Sequence, residues 1–253
     1  MRSHAPRYPA LLGLAARLSG TVMVGHRRSF CADAQAAVRQ LNPPLQVLGE
    51  ENIPQTGPCL VTINHFTRPG FRAWWLTLAV SAVIPVEIRW VITAAWTFPD
   101  GLRARTVTPM TYGLFPRIAE VYGFISMPPM PPRPQEAQRR ADAVRHCLTC
   151  ARQDKFCMIG LAPEGGDSAG GILSLPPPGV GRFMLHLTAI GLQIAPVGIY
   201  EEDGRLCLRF GQRYRLELAA GLPAVERDRC ASQIVMSNIA RLLPAALQGE
   251  FST

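Results

Sequence analysis

Short apolar runs alternate with longer segments of helical periodicity along most of this chain. The short runs are rich in β-branched residues and predict β-strands at 45–50, 59–63, 88–95, 124–127, 156–161, 193–200 and 206–210. The longer segments predict helices at 9–24, 71–84, 110–122, 135–153, 179–190 and 223–247. Strands that alternate with helices in this way indicate an α/β fold, with a largely parallel mixed sheet flanked by helices.

The N-terminal segment differs from the rest of the chain. Residues 9–24 are apolar apart from Arg17 and are followed by a basic stretch at 26–28. A bilayer-spanning helix needs about 20 apolar residues, and no small-residue cleavage site of a signal peptide follows this segment. Two interpretations stay open, an amphipathic helix lying on a membrane surface and an ordinary helix packed on the domain. We predict a membrane-associating helical segment at 1–40 and an α/β domain at 41–253.

The charge balance bears on the partners. Basic residues outnumber acidic ones 26 to 18, Lys155 is the only lysine, and 17% of residues are charged, against about 25% in an average soluble domain. A basic, apolar chain suits an anionic membrane surface. No run of five basic residues and no interleaving of aromatic and basic residues indicates nucleic-acid binding. We therefore expect a peripheral protein on the cytoplasmic face of a membrane, with no nucleic-acid partner.

The seven cysteines favour a reducing compartment, because their number is odd and most lie in apolar or helical context. Cys147 and Cys150 fall inside a predicted helix and Cys157 follows it, but no fourth ligand lies nearby in the sequence. We predict that they are buried small side chains, that the protein holds no metal and that it needs no cofactor.

Two polar motifs follow predicted strands and carry the candidate chemistry. Asn64-His65 follows the strand at 59–63, and Glu164-Gly165-Gly166-Asp167-Ser168 follows the strand at 156–161. In open α/β sheets, ligands bind beyond the carboxyl ends of strands, so we expect one shared crevice. A histidine there is a candidate general base, and the glycine amides are candidates to cradle an oxyanion or a phosphate. Residues 166–170 read Gly-Asp-Ser-Ala-Gly, the Gly-x-Ser-x-Gly spacing of a serine nucleophile elbow, but no predicted helix follows directly as it does in such an elbow, and we expect direct transfer to a bound acceptor.

These motifs resemble those of the lysophospholipid acyltransferases (1-acylglycerol-3-phosphate O-acyltransferases). Asn64-His65 is similar to the start of their Asn-His-x4-Asp motif, and 162–168 is similar to their Phe-Pro-Glu-Gly-Thr-Arg-Ser motif. Further glycines and the segment 194–198 extend the resemblance over about 45–215. It implies a glycerolipid acyltransferase-like fold. It also implies transfer of a fatty acyl group from acyl-CoA or acyl carrier protein to a hydroxyl, or an amine, of a lysophospholipid or other lipid-like acceptor, with His65 as general base.

The sequence departs from the family pattern at three places. Gly70 stands where the family has an aspartate, Asp167 replaces the motif arginine, and Pro176-Pro177-Pro178 replaces a basic segment. Our hypothesis is that Asp167 orients His65 in place of the missing aspartate. The alternative role for Asp167 is to cap its local turn. We predict catalytic roles for His65, Asn64 and Asp167, and substrate-binding roles for Glu164, Gly165, Gly166, Ser168, Arg68 and Arg182.

Two other functions stay open. One is a catalytically degenerate protein that binds lipid or acyl carrier, because the motif aspartate and arginine are absent. The other is a hydrolase that uses His65 and Glu164. Acyl transfer also requires an apolar channel beside His65 for the hydrocarbon chain. The sequence does not indicate the acceptor, the acyl length or the oligomeric state.

Overall fold

A computed structural model describes residues 6–98, 101–131 and 133–252. Seven strands form one sheet: β1 (Gln46–Leu48), β2 (Cys59–Ile63), β3 (Arg89–Thr93), β4 (Ile125–Met127), β5 (Met158–Leu161), β6 (Gln193–Glu202) and β7 (Arg205–Phe210). The helices are α1 (Leu12–Val24), α2 (Phe30–Val38), α3 (Trp74–Val83), α4 (Gly101–Tyr122), α5 (Ala137–Gln153), α6 (Val180–Ala189) and α7 (Ala224–Ala240).

The strand order across the sheet is β1-β7-β6-β2-β5-β3-β4. All neighbours pair in parallel except β6 and β7, which form an antiparallel hairpin. Asp203 and Gly204 make its two-residue turn, and both have positive φ, as a type I′ turn requires. The predicted α/β class with a largely parallel sheet is confirmed.

The core lies on both faces of the sheet. β2 and β5 are buried along their whole length, as expected for central parallel strands covered on both sides. One apolar cluster contains α2 and α3, and the other contains parts of α5, α6 and α7. This three-layer arrangement leaves the ends of the central strands as the place where loops from both faces meet.

Trp90 shows how tightly the central strands are covered. Its indole N–H donates to Ser81 Oγ at 2.8 Å, both groups being buried. A Cβ on Gly160 of β5 would come 2.3 Å from the indole ring. Only glycine therefore fits beneath Trp90, because a contact that short would force the indole ring or the β5 backbone to shift.

Two helices differ from the sequence prediction. α2 was not predicted; it begins at the N-cap Ser29, whose side chain accepts the N–H of Ala32 at 3.0 Å. α4 begins at Gly101 and not at 110, because it continues through Pro109. A proline inside a helix usually marks a boundary, so the pattern alone predicted the shorter element.

The N-terminal segment has two parts in the structure. α1 contacts α4 and exposes much of its surface, whereas Phe30, Ala34 and Ala37 of α2 belong to the sheet-covering core. The first five residues of the segment lie outside the described residues. None of the helices in the described ranges combines the length and the apolar character needed to cross a bilayer. The boundary at residue 40 stays a prediction.

Candidate active site

The two motifs meet at one edge of the sheet. β2 and β5 are adjacent and parallel, with Thr62 opposite Leu161, so the residues after these strands emerge side by side. The backbone N–H of His65 donates to Glu164 Oε2 at 2.6 Å. The other carboxylate oxygen of Glu164 accepts the N–H of Ser174 at 3.2 Å. Glu164 is therefore a buried bridge between the loop after β2 (residues 64–73, the histidine loop) and the loop after β5 (residues 162–174, the glutamate loop).

Asn64 fastens the histidine loop to the strand on the other side. Its Nδ2 donates to the carbonyl oxygen of Ile199 at 2.8 Å, and its Oδ1 accepts the N–H of Ile199 at 2.7 Å. The side chain is buried, so both bonds are protected from water. This geometry suits Asn64 to positioning His65, and it leaves proton transfer to the imidazole.

Asp167 lies beside the imidazole. Its Oδ1 is 3.0 Å from Nδ1 of His65, within ion-pair distance but off the axis that a hydrogen bond requires. The Asp167 side chain is 68% exposed, and that of His65 is 20% exposed. A carboxylate on this side of the ring favours the tautomer with the proton on Nδ1, which leaves Nε2 as the acceptor.

Burial controls the protonation of both buried groups. Desolvation lowers the pKa of His65 below its ordinary value, and this outweighs the opposing effect of the Asp167 charge. Desolvation also raises the pKa of Glu164, although the backbone N–H groups of His65 and Ser174 oppose it. At neutral pH the imidazole is therefore predominantly uncharged, the form that accepts a proton.

The backbone of both loops depends on glycine. Gly70, where the family has its aspartate, has φ of 82°, a left-handed conformation that side chains rarely adopt. Gly171 also has positive φ, and a Cβ there would lie 2.9 Å from the carbonyl oxygen of Thr67. The glutamate loop therefore packs directly on the histidine loop.

The other residues of the glutamate loop divide into two groups. The N–H of Gly165 donates to Ala162 at 3.1 Å, and Ser168 Oγ donates to Ile172, so both close the loop on itself. Within the part of the chain that the structure describes, the N–H of Gly166 has no hydrogen-bond partner. Gly166 is therefore the better candidate of the two glycines to hold an oxyanion.

Arg68 is engaged by another residue. Its Nε and Nη2 donate to the two oxygens of Glu201, at 2.6 and 2.8 Å. Tyr8 donates to the same carboxylate at 2.6 Å, and its ring lies under the guanidinium at 5.8 Å. Arg68 is thus held at the end of β6, and Tyr8, which precedes α1, is held with it. Nothing local in the sequence pairs these three residues.

The start of α6 borders the glutamate loop. Pro177 lies 3.9 Å and Met130 3.5 Å from the position of a Cβ on Gly165. Arg182, in the first turn of α6, is exposed. Its backbone N–H and that of Gly179 donate to the Asp228 carboxylate, each at 2.7 Å. Asp228 was not predicted, because it lies on α7, far along the chain.

Two cavities lie elsewhere in the protein. One, of about 660 Å³, lies between the end of α6 and residues 215–222, and the other, of about 360 Å³, lies beside β4 and α5. Neither is lined by His65 or the glutamate loop, so neither is the expected acyl channel. Among the described residues, no group of three histidine, cysteine or acidic side chains is arranged to hold a metal ion.

The fold is similar to that of a solved acyltransferase. The crystal structure of the 1-acyl-sn-glycerophosphate (LPA) acyltransferase PlsC from Thermotoga maritima matches with a TM-score of 0.51 and 14% sequence identity, over 89% of this chain and 79% of that chain. The sequence matches no protein-family model and no curated protein. The architecture is therefore acyltransferase-like, and at this identity the likeness concerns the fold.

Proposed function

We propose that this protein is an acyltransferase that acts on a lipid-like acceptor. A fatty acyl group passes from acyl-CoA or acyl carrier protein to a hydroxyl, or an amine, of the acceptor, and His65 is the general base. The proposal needs no metal and no resident cofactor. Its support is an acyltransferase-like fold together with a histidine at the end of a central strand.

The observation that carries the proposal is the environment of His65. The backbone is held by Glu164 at 2.6 Å, and an exposed carboxylate lies 3.0 Å from Nδ1. The imidazole is uncharged at neutral pH because burial lowers its pKa. A neutral imidazole with a carboxylate behind it is the arrangement that general-base catalysis uses.

The reaction proceeds by direct attack on the thioester. Nε2 of His65 takes the proton of the acceptor hydroxyl while the hydroxyl oxygen bonds to the thioester carbonyl carbon. The carbon–sulfur bond of the resulting tetrahedral intermediate then breaks. The departing thiolate takes the proton back from His65, which leaves an ester, a free thiol and an unchanged enzyme.

Charge develops at two places during this reaction, on the imidazole ring and on the thioester oxygen. Asp167 lies where it stabilises the imidazolium that forms on His65. The N–H of Gly166 is our candidate donor to the negative oxygen of the intermediate. Asn64 and Glu164 act on the same step only through the backbone that they hold.

We also propose that the protein is peripheral on the cytoplasmic face of a membrane. Leu12 of α1 and Leu102 of α4 are each 76% exposed, and Met110 of α4 is also exposed. Exposed Arg103 and Arg117 lie on the same helix, so apolar and cationic groups are interspersed there. That composition suits the surface of an anionic bilayer. The expected measurement is co-sedimentation with anionic vesicles that weakens as salt rises.

A second candidate function rests on the off-axis contact at His65. If Asp167 never aligns with Nδ1, the imidazolium lacks its partner, and the protein only binds lipid or acyl carrier. This binding function predicts that the thioester binds and that no product forms. Both candidate functions use the same crevice, and only the acyltransferase turns the substrate over.

The test is an assay with labelled acyl-CoA or acyl carrier protein and a panel of lysolipids. We expect an acylated lipid with the wild type and none with His65→Ala, while the control His186→Ala, on the exposed face of α6, keeps full activity. Thioester binding without product supports the binding function. Release of free fatty acid in place of an acylated lipid identifies a hydrolase.

A further inference from the structure

The N-terminus of α6, beside the candidate active site, already holds an anion supplied by the protein. Helix N-termini bind phosphates through their free N–H groups and their positive dipole end. Here the carboxylate of Asp228 accepts the N–H groups of Gly179 and Arg182, each at 2.7 Å. This position is therefore closed to a substrate phosphate.

The glutamate loop adds a second negative charge. The exposed Asp167 carboxylate lies 3.0 Å from Nδ1 of His65, and two residues before it Gly165 lies next to Pro177, just before α6. Asp167 thus lies two residues from the point where the glutamate loop contacts the segment before α6. An acceptor whose hydroxyl reaches His65 lies close to the Asp167 carboxylate.

Several arginines near the crevice are engaged by the protein's own groups. Arg68 is neutralised by its bidentate pair with Glu201. Arg72 lies 5.8 Å from the ring of Trp74. Arg140 donates to the carbonyl oxygens of Pro128 and Pro129, at 3.1 and 3.0 Å, and the exposed Arg182 lies at the start of α6, where Asp228 is already bound. A dianionic group beside His65 meets the exposed Asp167 carboxylate, and this repulsion costs about tenfold in affinity.

We propose that the acceptor is a lysolipid whose hydroxyl-bearing head group carries no phosphate monoester. This inference rests on the proposed acyl transfer at His65 and names the class of acceptor for that site. It separates this chain from the similar structure from Thermotoga maritima, which is a 1-acyl-sn-glycerophosphate acyltransferase. The difference follows from Asp167, which places a negative charge beside His65, and from Asp228, which closes the start of α6.

Binding to the inactive variant His65→Ala tests the acceptor class without turnover. Monoacylglycerol and lysophosphatidate of the same acyl chain are titrated below their micellar concentrations, and affinity is followed by tryptophan fluorescence. We expect monoacylglycerol to bind at least about tenfold more tightly. Equal binding, tighter binding of lysophosphatidate, or binding of neither lipid overturns the inference. Product formation by the wild type is measured separately, so loss of the proposed function is distinguishable from a wrong acceptor class.

Two charge variants locate the cause of the preference. In a His65→Ala background, Asp167→Asn removes one carboxylate and Asp228→Asn frees the start of α6. Each is expected to tighten lysophosphatidate binding by about threefold to tenfold and to leave monoacylglycerol binding within twofold. Asp167→Asn does not touch the α6 contact, so the test survives a folding defect in Asp228→Asn. An unchanged ratio of the two affinities in Asp167→Asn contradicts the inference.

Discussion

Replacing Asp167 with asparagine removes the charge beside His65 and leaves a side chain of nearly the same size. The carboxylate oxygen is 3.0 Å from Nδ1. Two unit charges at this separation interact by about 1.4 kcal/mol in a water-like dielectric and by about 5–6 kcal/mol near a partly desolvated surface. Because the Asp167 side chain is 68% exposed, solvent screens the pair and the lower figure applies.

We therefore expect Asp167→Asn to lower kcat/KM by about tenfold. A buried aspartate behind a catalytic histidine in a serine protease is worth about 10⁴ in turnover, so the exposure of Asp167 predicts a much smaller loss. The neutral variant Asp203→Asn, in the β6–β7 turn, serves as a matched control and keeps wild-type activity. A loss below about twofold refutes the role of Asp167, and a loss near 10⁴ refutes the argument from exposure.

The pH dependence of kcat/KM tests the role of Asp167 in a second way. Burial lowers the pKa of His65, and Asp167 opposes that shift. Activity requires the neutral ring, so the acid limb of kcat/KM lies below the ordinary histidine value and reports the free enzyme. Without Asp167 the opposing charge is gone and the limb moves to still lower pH. A limb that stays in place shows that the carboxylate does not act on the imidazole.

Three further predictions concern the framework of the site. Arg68→Ala leaves the half-buried Glu201 without its bidentate partner, and we expect about 2 kcal/mol less stability in urea unfolding. Gly160→Ala places a Cβ 2.3 Å from the Trp90 ring, and we expect a loss of about 3 kcal/mol or more, seen as a lower Tm. Asn64→Ala leaves two buried groups of β6 unpaired, and we expect a loss of about 2–4 kcal/mol, measured by urea unfolding, together with reduced activity.

Each framework variant has a control and an outcome that contradicts it. Gly13→Ala, in open space on α1, is expected to change Tm little and controls for Gly160→Ala. Arg105→Ala, on the exposed surface of α4, controls for Arg68→Ala. Stability in Arg68→Ala equal to that control means that the ion pair contributes nothing. Full activity in Asn64→Ala means that the contact with Ile199 does not position the histidine.

Much of the sheet is predictable because its strands carry strong local signals. The predicted strand at 59–63 coincides with β2, since a short apolar run bounded by proline and polar residues has few alternatives. Placing β2 beside β5 then brings the two motifs together without further information. The expected proximity of His65 and Glu164 follows from this topology, whereas the 3.0 Å approach of Asp167 to the ring depends on the conformation of the loop.

What the sequence did not predict depends on contacts between distant residues. Arg68 and Glu201 are 133 positions apart, and the Asp228 carboxylate meets Gly179 across 49 positions. Single-sequence patterns carry no signal for such pairs, so Arg68 and Arg182 looked like free cations for a substrate. In the structure Arg68 is neutralised by Glu201, whereas Arg182 keeps an exposed side chain and only its backbone N–H is bound, so Arg68 is no longer a free cation for a substrate.

Internal carboxylates organise this site from three directions. Glu164 holds the backbone of the histidine loop, Glu201 holds Arg68 at the end of that loop, and Asp228 closes the start of α6. Each stabilises groups that would otherwise attract an anionic ligand. Asp167 differs, because among the described residues its carboxylate is the one paired with a histidine ring. The positive groups here, Arg68 and the backbone N–H groups, are thus bound by the protein's own carboxylates. The preference between acceptors therefore follows from the contacts that hold the loops.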